Sequence, residues 1–382
     1  MEKIKILFVG YRLLPHRPEA VCNVTRGLAE ALGKRGFEVI ILTNGNKDEK
    51  SNYNGVTTVQ VATGSGLFSF FFGITKFRNR IRDLINEYKP DILHDMFVIP
   101  GSSLIITNFA LKRSKLLPVT IKTSWNYPSN PYHILDLLRP FNYRYFLEEL
   151  IFRIMLGNKN ITKVAYSKFD SLLIHNKYEK SKYKEIIKGK SIEYLPLGIR
   201  DIKIKGDRIN FPKTNYSKKI LYFGHPSVKK GVYELISTVP KILKKSKDAM
   251  ICFYFSEVAE SKEGIIEKID LLSKKYPNRV FYRVGYFNAK ELYKYFDLLV
   301  LPLRHEWAST SPPITIIEAG SVGLSTITEN LDITKEAADY YDGVRLVHNM
   351  LNKDNLAESI LCELENLKQV NNKYTNDWNK QV

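Results

Sequence analysis

The chain has 382 residues, with 58 Lys and Arg against 40 Asp and Glu, a net charge of +18. Its 44% hydrophobic and 26% charged residues describe a globular chain with core enough for two domains and exclude a disordered or fibrous one. Three cysteines without a CxxC spacing exclude a disulfide framework and a zinc site, and no apolar run reaches the ~20 residues of a spanning helix. MEKIKILFVG runs straight into a strand with no signal-peptide pattern, so the expected compartment is the cytoplasm.

Residues 4–9 form a short apolar run, as in a strand buried on both faces. Over 22–34, Val24, Leu28, Ala31 and Leu32 recur at helical spacing, and Gly33 and Gly36 close the helix. Strands follow at 38–43 and 56–61, a helix at 77–88 and, after Pro90, a strand at 91–93. Runs at 119–123 and 162–166 read as two more strands. The pattern restarts beyond 192–196, where a basic stretch with Lys203, Lys205, Arg208 and Pro212 reads as an interdomain linker. The second half offers strands at 220–223, 250–255, 280–283, 298–301 and 325–328, with helices at 232–244 and 314–322. Such alternation implies an α/β fold of two mostly parallel, doubly wound sheets. The tail from Gln369 is rich in Asn and Lys, and Trp378 within it suits packing against the fold.

In open α/β sheets ligands lie outside the carboxyl ends of the strands, where loops meet helix N-termini. In 220–236, ILYFGHPSVKKGVYELI, a strand ends, Gly224 turns, His225 follows, and a helix begins after Gly231. Lys229 and Lys230 at that helix start suit a diphosphate, although two solvated lysines on a surface loop leave the same pattern. In 301–328, Thr310-Ser311-Pro312-Pro313 starts a helix with a hydroxyl cap and residues that need no N–H partner. Glu318 stands one turn into an apolar stretch of Ile314, Ile316, Ile317 and Ala319, where a carboxylate can accept hydrogen bonds from ribose hydroxyls; an exposed helix glutamate is the plain alternative. In the first half the loops at 10–20 and 122–130 qualify. The second holds Ser124, Trp125 and Asn126, placed to grip an acceptor, and His94 ends the strand before it, a position more often structural than catalytic.

Five fragments, in order, resemble motifs of glycosyltransferase family 4 (group 1), retaining nucleotide-sugar transferases of the GT-B fold. PDILH (90–94) is similar to the family's PD-x-x-H strand end, and YLPLGI (194–199) to its hinge signature. FG…KKG (223–231) resembles the G-R…K-G phosphate loop, and VGYFNAKELYKYFDLLVLP (284–302) the stretch that ends in A-D-x-x-x-x-P. PPITIIEAGSVGLSTIT (312–328) resembles G-L-x-x-x-E-A-M-x-x-G-x-P-V-I. The resemblance implies two Rossmann-like β/α/β domains facing across a cleft: 1–197 for the acceptor, 198–365 for the nucleotide sugar, and 366–382 crossing back to the N-terminal domain.

It implies roles as well. Lys230 matches the lysine that contacts the donor diphosphate, with Gly224, His225, Lys229 and Ser311 in the same two loops. The amides of Ile314 and Thr315 match those facing the donor phosphates, and Glu318 matches the second Glu of a Glu-x7-Glu pair, which holds the ribose. The donor is then a nucleotide diphosphate sugar, and basic side chains and helix dipoles neutralise the leaving group with no obligatory cofactor or metal. The chain departs from the family pattern at several points. Thr310 stands eight residues before Glu318 where a Glu is usual, and Glu306, four residues earlier, replaces it only if the loop bends differently. His225 stands where the family has Arg, and Ser124 near its active-site His. Ser124, Glu306 and Thr310 are thus the candidate catalytic positions, and His94, Trp125 and Asn126 the candidate acceptor contacts.

The implied reaction moves a glycosyl group to an acceptor hydroxyl with retention, the protein supplying positioning and charge stabilisation. Segments 64–82 and 139–156 join aromatic runs to basic residues, among them Lys76, Arg78, Arg80 and Arg82. They suit an anionic membrane surface and a lipid-linked or surface glycan acceptor, though core helices with solvated ends read alike. The rival readings are a non-catalytic or donor-altered sugar-nucleotide-binding protein, and a nucleic-acid-binding protein, which the +18 charge suggests but no recognition motif supports.

Overall fold

The computed structural model describes residues 3–13, 20–63, 67–114, 116–125, 158–198, 209, 211–212, 215–256 and 264–367. They fall into two units, one reaching to 198 and one starting at 209. The expected linker at 199–208, the segment 139–156 and the tail with Trp378 lie outside the described residues.

In the first unit the strands are β1 (Lys5–Val9), β2 (Glu38–Gly45), β3 (Glu49–Tyr53), β4 (Val56–Ala62), β5 (Ile92–Asp95), β6 (Val119–Ser124), β7 (Ser171–Ile174) and β8 (Ser191–Tyr194). Helices are α1 (Ala20–Lys34), α2 (Leu67–Tyr88), α3 (100–112), α4 (Lys159–Tyr166) and α5 (Lys180–Ile186). The sheet order is β3-β4-β2-β1-β5-β6-β7-β8, parallel throughout except for β3 against β4. The apolar runs of β1 and β2 are buried because helices cover both faces, and α1 turns Val24, Leu28 and Ala31 inward.

One expected strand is a helix. Residues 162–166 are not a strand but the end of α4. The Asn158 side chain accepts from the amides of Asn160 and Ile161, which starts a helix, and Thr162, Ala165 and Tyr166 form its buried face at helical spacing. The strand lies further on, at β7. An additional strand, β3, has all five residues exposed, so no apolar alternation announces it. The Asn54-Gly55 turn, with both φ angles positive, folds it back on β4 as a hairpin.

The second unit has β9 (Lys218–Gly224), β10 (Ala249–Phe255), β11 (Val280–Val284), β12 (Leu298–Leu301), β13 (Ser325–Glu329) and β14 (Val344–Val347). Its helices are α6 (Val232–Lys245), α7 (Ile265–Lys275), α8 (Ala289–Tyr295), α9 (Ile314–Ser321), α10 (Asp332–Tyr340) and α11 (Lys353–Glu365). The strand order is β11-β10-β9-β12-β13-β14, all parallel. The chain winds outward from β9 to one edge, then returns to β12 on the other side. The direction therefore reverses between β9 and β12, and in the first unit between β1 and β5. That reversal opens the crevice in which α/β sheets bind ligands.

The three cysteines are free, Cys22 and Cys252 buried and Cys362 exposed. Among the described residues no helix is long and apolar enough to cross a membrane, and no three His, Cys, Asp or Glu side chains gather as metal ligands.

One buried ion pair ties the middle of the first sheet together. The Lys122 ammonium lies 2.7 Å from Asp95 Oδ1, both side chains fully buried. Asp95 also accepts from the Phe97 amide and from the hydroxyls of Ser103 and Thr107 on α3. Burial pulls the Lys122 pKa down, and the Asp95 carboxylate opposes that pull. Asp95→Ala strands a buried ammonium and should cost about 3–5 kcal/mol. An unchanged thermal midpoint in that variant would show that the pair does not hold the sheet.

Candidate functional site

In the second unit the site begins with a turn that only glycine allows. After β9, residues 228–230 make a short 3-10 turn, and Gly231 follows with φ 71°. A Cβ on Gly231 would stand 1.7 Å from the Pro302 carbonyl oxygen. The turn before α6 therefore lies against the end of β12 because no side chain intervenes. The Arg304 amide donates to the Lys229 carbonyl at 3.1 Å, and the Arg304 guanidinium lies 3.5 Å from Glu234 in the first turn of α6. The β9–α6 turn and the β12–α9 loop are thus one construction at the strand-order reversal.

Lys230 sits in this construction half-buried, with no carboxylate partner among the described residues. Burial pulls its pKa down to about 7, and the neighbouring Lys229 charge adds to the shift. Across the turn, α9 starts at Ile314 with Pro313 as its cap residue and no side-chain cap. The expected hydroxyl cap is absent for a clear reason: Thr310 donates to the Pro312 carbonyl at 3.0 Å, and Ser311 is buried. The first amides, those of Ile314 and Thr315, have no intrahelical acceptor, which leaves a helix end open to an anion.

Glu318, one turn further on, is half-buried. Burial pushes its pKa up to about 7, against a lowering hydrogen bond from Tyr293, whose hydroxyl lies 3.2 Å from Oε2. Tyr293 belongs to α8, is buried, and packs edge-on against Phe223 of β9. Sequence reasoning passed over it. The signal was a tyrosine on the apolar side of a helix, which needs a partner for its hydroxyl.

Other expected residues are engaged elsewhere. Glu306 does not stand in for the glutamate missing at Thr310. Its Oε1 accepts from the Asp332 amide at 2.9 Å and its Oε2 from the Ile333 amide at 3.1 Å, so the carboxylate caps α10. His225 is tethered through Nδ1 to the Ser256 hydroxyl at 2.8 Å, while Gly224 accepts from the Ser256 amide at 3.2 Å. Both bonds join the end of β9 to the end of β10.

In the first unit, the predicted acceptor and catalytic side chains are turned inward. His94 is buried, its Nε2 2.6 Å from the Thr123 hydroxyl and its ring stacked on Phe8. Burial pulls its pKa down to about 3, with the charges of His175 and Lys122 in support. Ser124 is buried and hydrogen-bonded to the Tyr183 hydroxyl. Trp125 is fully buried and donates its indole N–H to the Met96 carbonyl at 3.1 Å. The candidate acceptor contacts His94 and Trp125 and the candidate catalytic Ser124 are thus buried, and their polar atoms have internal partners. Buried beside Trp125, His175 bonds the Leu195 carbonyl through Nδ1, and its Nε2 has no hydrogen-bond partner among the described residues. Asn126 lies outside the described residues.

Gly231→Ala should cost about 1–3 kcal/mol, from the positive φ and the collision with Pro302, and loosen the Lys230 turn. A thermal midpoint equal to that of the parent protein would refute the close approach.

A family model described as "Glycosyl transferases group 1" matches residues 217–366, and one described as "Glycosyl transferase 4-like" matches 13–153. No curated protein matches the chain by sequence. Among solved structures, sucrose-phosphate synthase from Thermosynechococcus elongatus is similar at 14% identity and TM-score 0.72, over 99% of this chain and 93% of that one. HepE of Anabaena, solved with UDP-glucose, is similar at 11% identity and TM-score 0.64, over 99% and 94%. WaaG, a glycosyltransferase involved in lipopolysaccharide biosynthesis, is similar at 14% identity and TM-score 0.64, over 94% and 90%. Two Rossmann-like, mostly parallel sheets, each with a strand-order reversal, and family models matching both halves lead to one assignment: the chain is a glycosyltransferase of group 1 type with the GT-B fold.

Proposed function

We propose that the second unit, within 198–365, binds a nucleoside diphosphate sugar at the β9–β12 reversal. The chain then transfers the sugar, with retention, to a hydroxyl of a lipid-linked or surface glycan held by the N-terminal domain, 1–197. The observation that carries this reading is Lys230: a half-buried ammonium without a carboxylate partner among the described residues, on the glycine turn that lies against the end of β12. Lys230 and the open helix starts at α6 and α9 would stabilise the charge that develops on the leaving diphosphate. Glu318 would accept from the ribose hydroxyls through the oxygen that Tyr293 does not occupy. With no side-chain nucleophile required, the donor's own phosphate oxygen takes the acceptor proton, and the enzyme supplies alignment.

Two similarities support the finer points. HepE was solved with UDP-glucose, which favours a uridine donor, and WaaG's place in lipopolysaccharide biosynthesis favours a lipid-linked acceptor at the cytoplasmic membrane face. A second reading, donor binding without transfer, is favoured by Thr310 in the usual glutamate position and by the engagement of Glu306 on α10.

A nucleotide sugar at 100 times its dissociation constant should stabilise the protein by about 2.7 kcal/mol in a thermal-shift screen. The shift should vanish in Lys230→Ala and Glu318→Ala. Stabilisation retained in both variants would place the donor elsewhere. Stabilisation without turnover on any acceptor would select the second reading, and the anomeric configuration of the product, read by NMR, tests retention.

Donor affinity should be bell-shaped in pH. The Lys230 pKa is depressed to about 7, so the side chain is cationic below that pH and loses its charge above it. The Glu318 pKa is raised to about 7, so the side chain is an anionic acceptor above that pH and is protonated below it. Affinity then peaks near pH 7, Glu318→Gln removes the acid limb, and Lys230→Arg removes the alkaline one. A flat profile between pH 6 and 8 would contradict both assignments.

A further inference from the structure

Of the twelve large hydrophobic side chains exposed among the described residues, five fall between 105 and 119: Ile105, Phe109, Leu116, Leu117 and Val119. Their exposure runs from 37% at Phe109 to 75% at Leu117. They do not belong to the inner face of α3, which buries Ile106, Ala110 and Leu111. Ile105, Phe109 and Arg113 instead recur every fourth residue, on one outward stripe.

Cations frame this stripe. The Arg78 guanidinium, from α2, lies 4.3 Å from the centre of the Phe109 ring, and that of Arg113 lies 4.6 Å from it. Lys112 and Arg113 are exposed, and neither they nor Arg78 pairs with a carboxylate among the described residues. The sequence holds no Asp or Glu in 100–119 or in 75–82, and adds Lys115 to the count of cations. The carboxylates at the neighbouring strand ends are occupied, Asp91 by the Lys5 amide and Asp170 by the Thr120 amide and hydroxyl.

We propose that this face, made by α2, α3 and the α3–β6 loop, docks the protein on an anionic lipid bilayer. Leu116 and Leu117 enter the interface, and Arg78, Lys112 and Arg113 meet the headgroups. Exposed leucines beside unpaired cations match the two components of a bilayer surface, apolar below and anionic above. Phe109 between two guanidiniums supplies an aromatic body with cationic ends, suited to the boundary between them. The inference extends the lipid-linked acceptor reading but stands on the first unit alone, so the two can fail separately.

The test is co-flotation of the full chain with vesicles of equal parts phosphatidylcholine and phosphatidylglycerol, and with phosphatidylcholine alone. The chain should float with the first and not the second, and added salt should weaken binding. Lys112→Ser with Arg113→Ser removes two exposed cations and should weaken binding on the order of twenty-five-fold, about five-fold for each. Leu116→Ser with Leu117→Ser should also release the protein. Neither pair lies in the core, and the thermal shift with a nucleotide sugar, taken on the same samples, should stay at the parent value. If the parent chain does not float, or both variants float as well as the parent, the docking face is refuted. Variants that change the oligomeric state and leave flotation untouched would refute it too, by showing that the stripe meets a second copy of the chain. Flotation lost with the nucleotide-sugar shift intact supports the bilayer alone, whatever the acceptor proves to be.

Discussion

The second unit depends on the approach of Gly231 to the Pro302 carbonyl. A methyl group there would occupy the same space as the oxygen, so one hydrogen atom in place of a side chain decides whether the turn after β9 lies against the end of β12. Everything else at the reversal follows from that proximity. The Arg304 amide reaches the Lys229 carbonyl, the Arg304–Glu234 pair locks the first turn of α6, and Lys230 is held half-buried without an anionic neighbour among the described residues. Burial and the neighbouring Lys229 charge together pull the Lys230 pKa down to about 7.

The two sheets share a winding rule and differ at their carboxyl ends. In the second, some polar groups at the reversal have no hydrogen-bond partner among the described residues: the first amides of α6 and α9, the Lys230 ammonium and one oxygen of Glu318. In the first, they are turned inward and satisfied. Lys122 meets Asp95, Asp95 gathers the hydroxyls of α3, His94 meets Thr123, and Trp125 meets Met96. Buried polar networks of this kind fix side chains in one arrangement. The first sheet thus satisfies these polar groups internally, whereas the second leaves several without an internal partner among the described residues.

Much of this was legible in the residues. Apolar runs marked β1, β2, β10 and β12 because both faces of a parallel sheet are covered. Lys230 and Glu318 stood out because each breaks a local pattern, a lysine at a helix start and a carboxylate in an apolar stretch. What escaped depended on partners distant in sequence. Nothing near Glu306 shows that its oxygens meet amides at 332 and 333, and nothing near Trp125 shows the Met96 carbonyl. The misread strand at 162–166 is instructive in another way. Five residues with three apolar ones fit either period, and the asparagine cap at 158 decides the matter. The exposed β3 offered only its Asn-Gly turn.

The capping of α10 by Glu306 limits where a ligand can lie. Three helices follow the central strands β9, β12 and β13, and the start of each is a place where an anion can rest. At α10 the protein seats a carboxylate of its own on the first amides, so that berth is taken before any ligand comes. The start of α10 is therefore closed to a further anion, because a like charge is already bonded there. The loop that holds Thr310 thus commits its own carboxylate, Glu306, to a helix start.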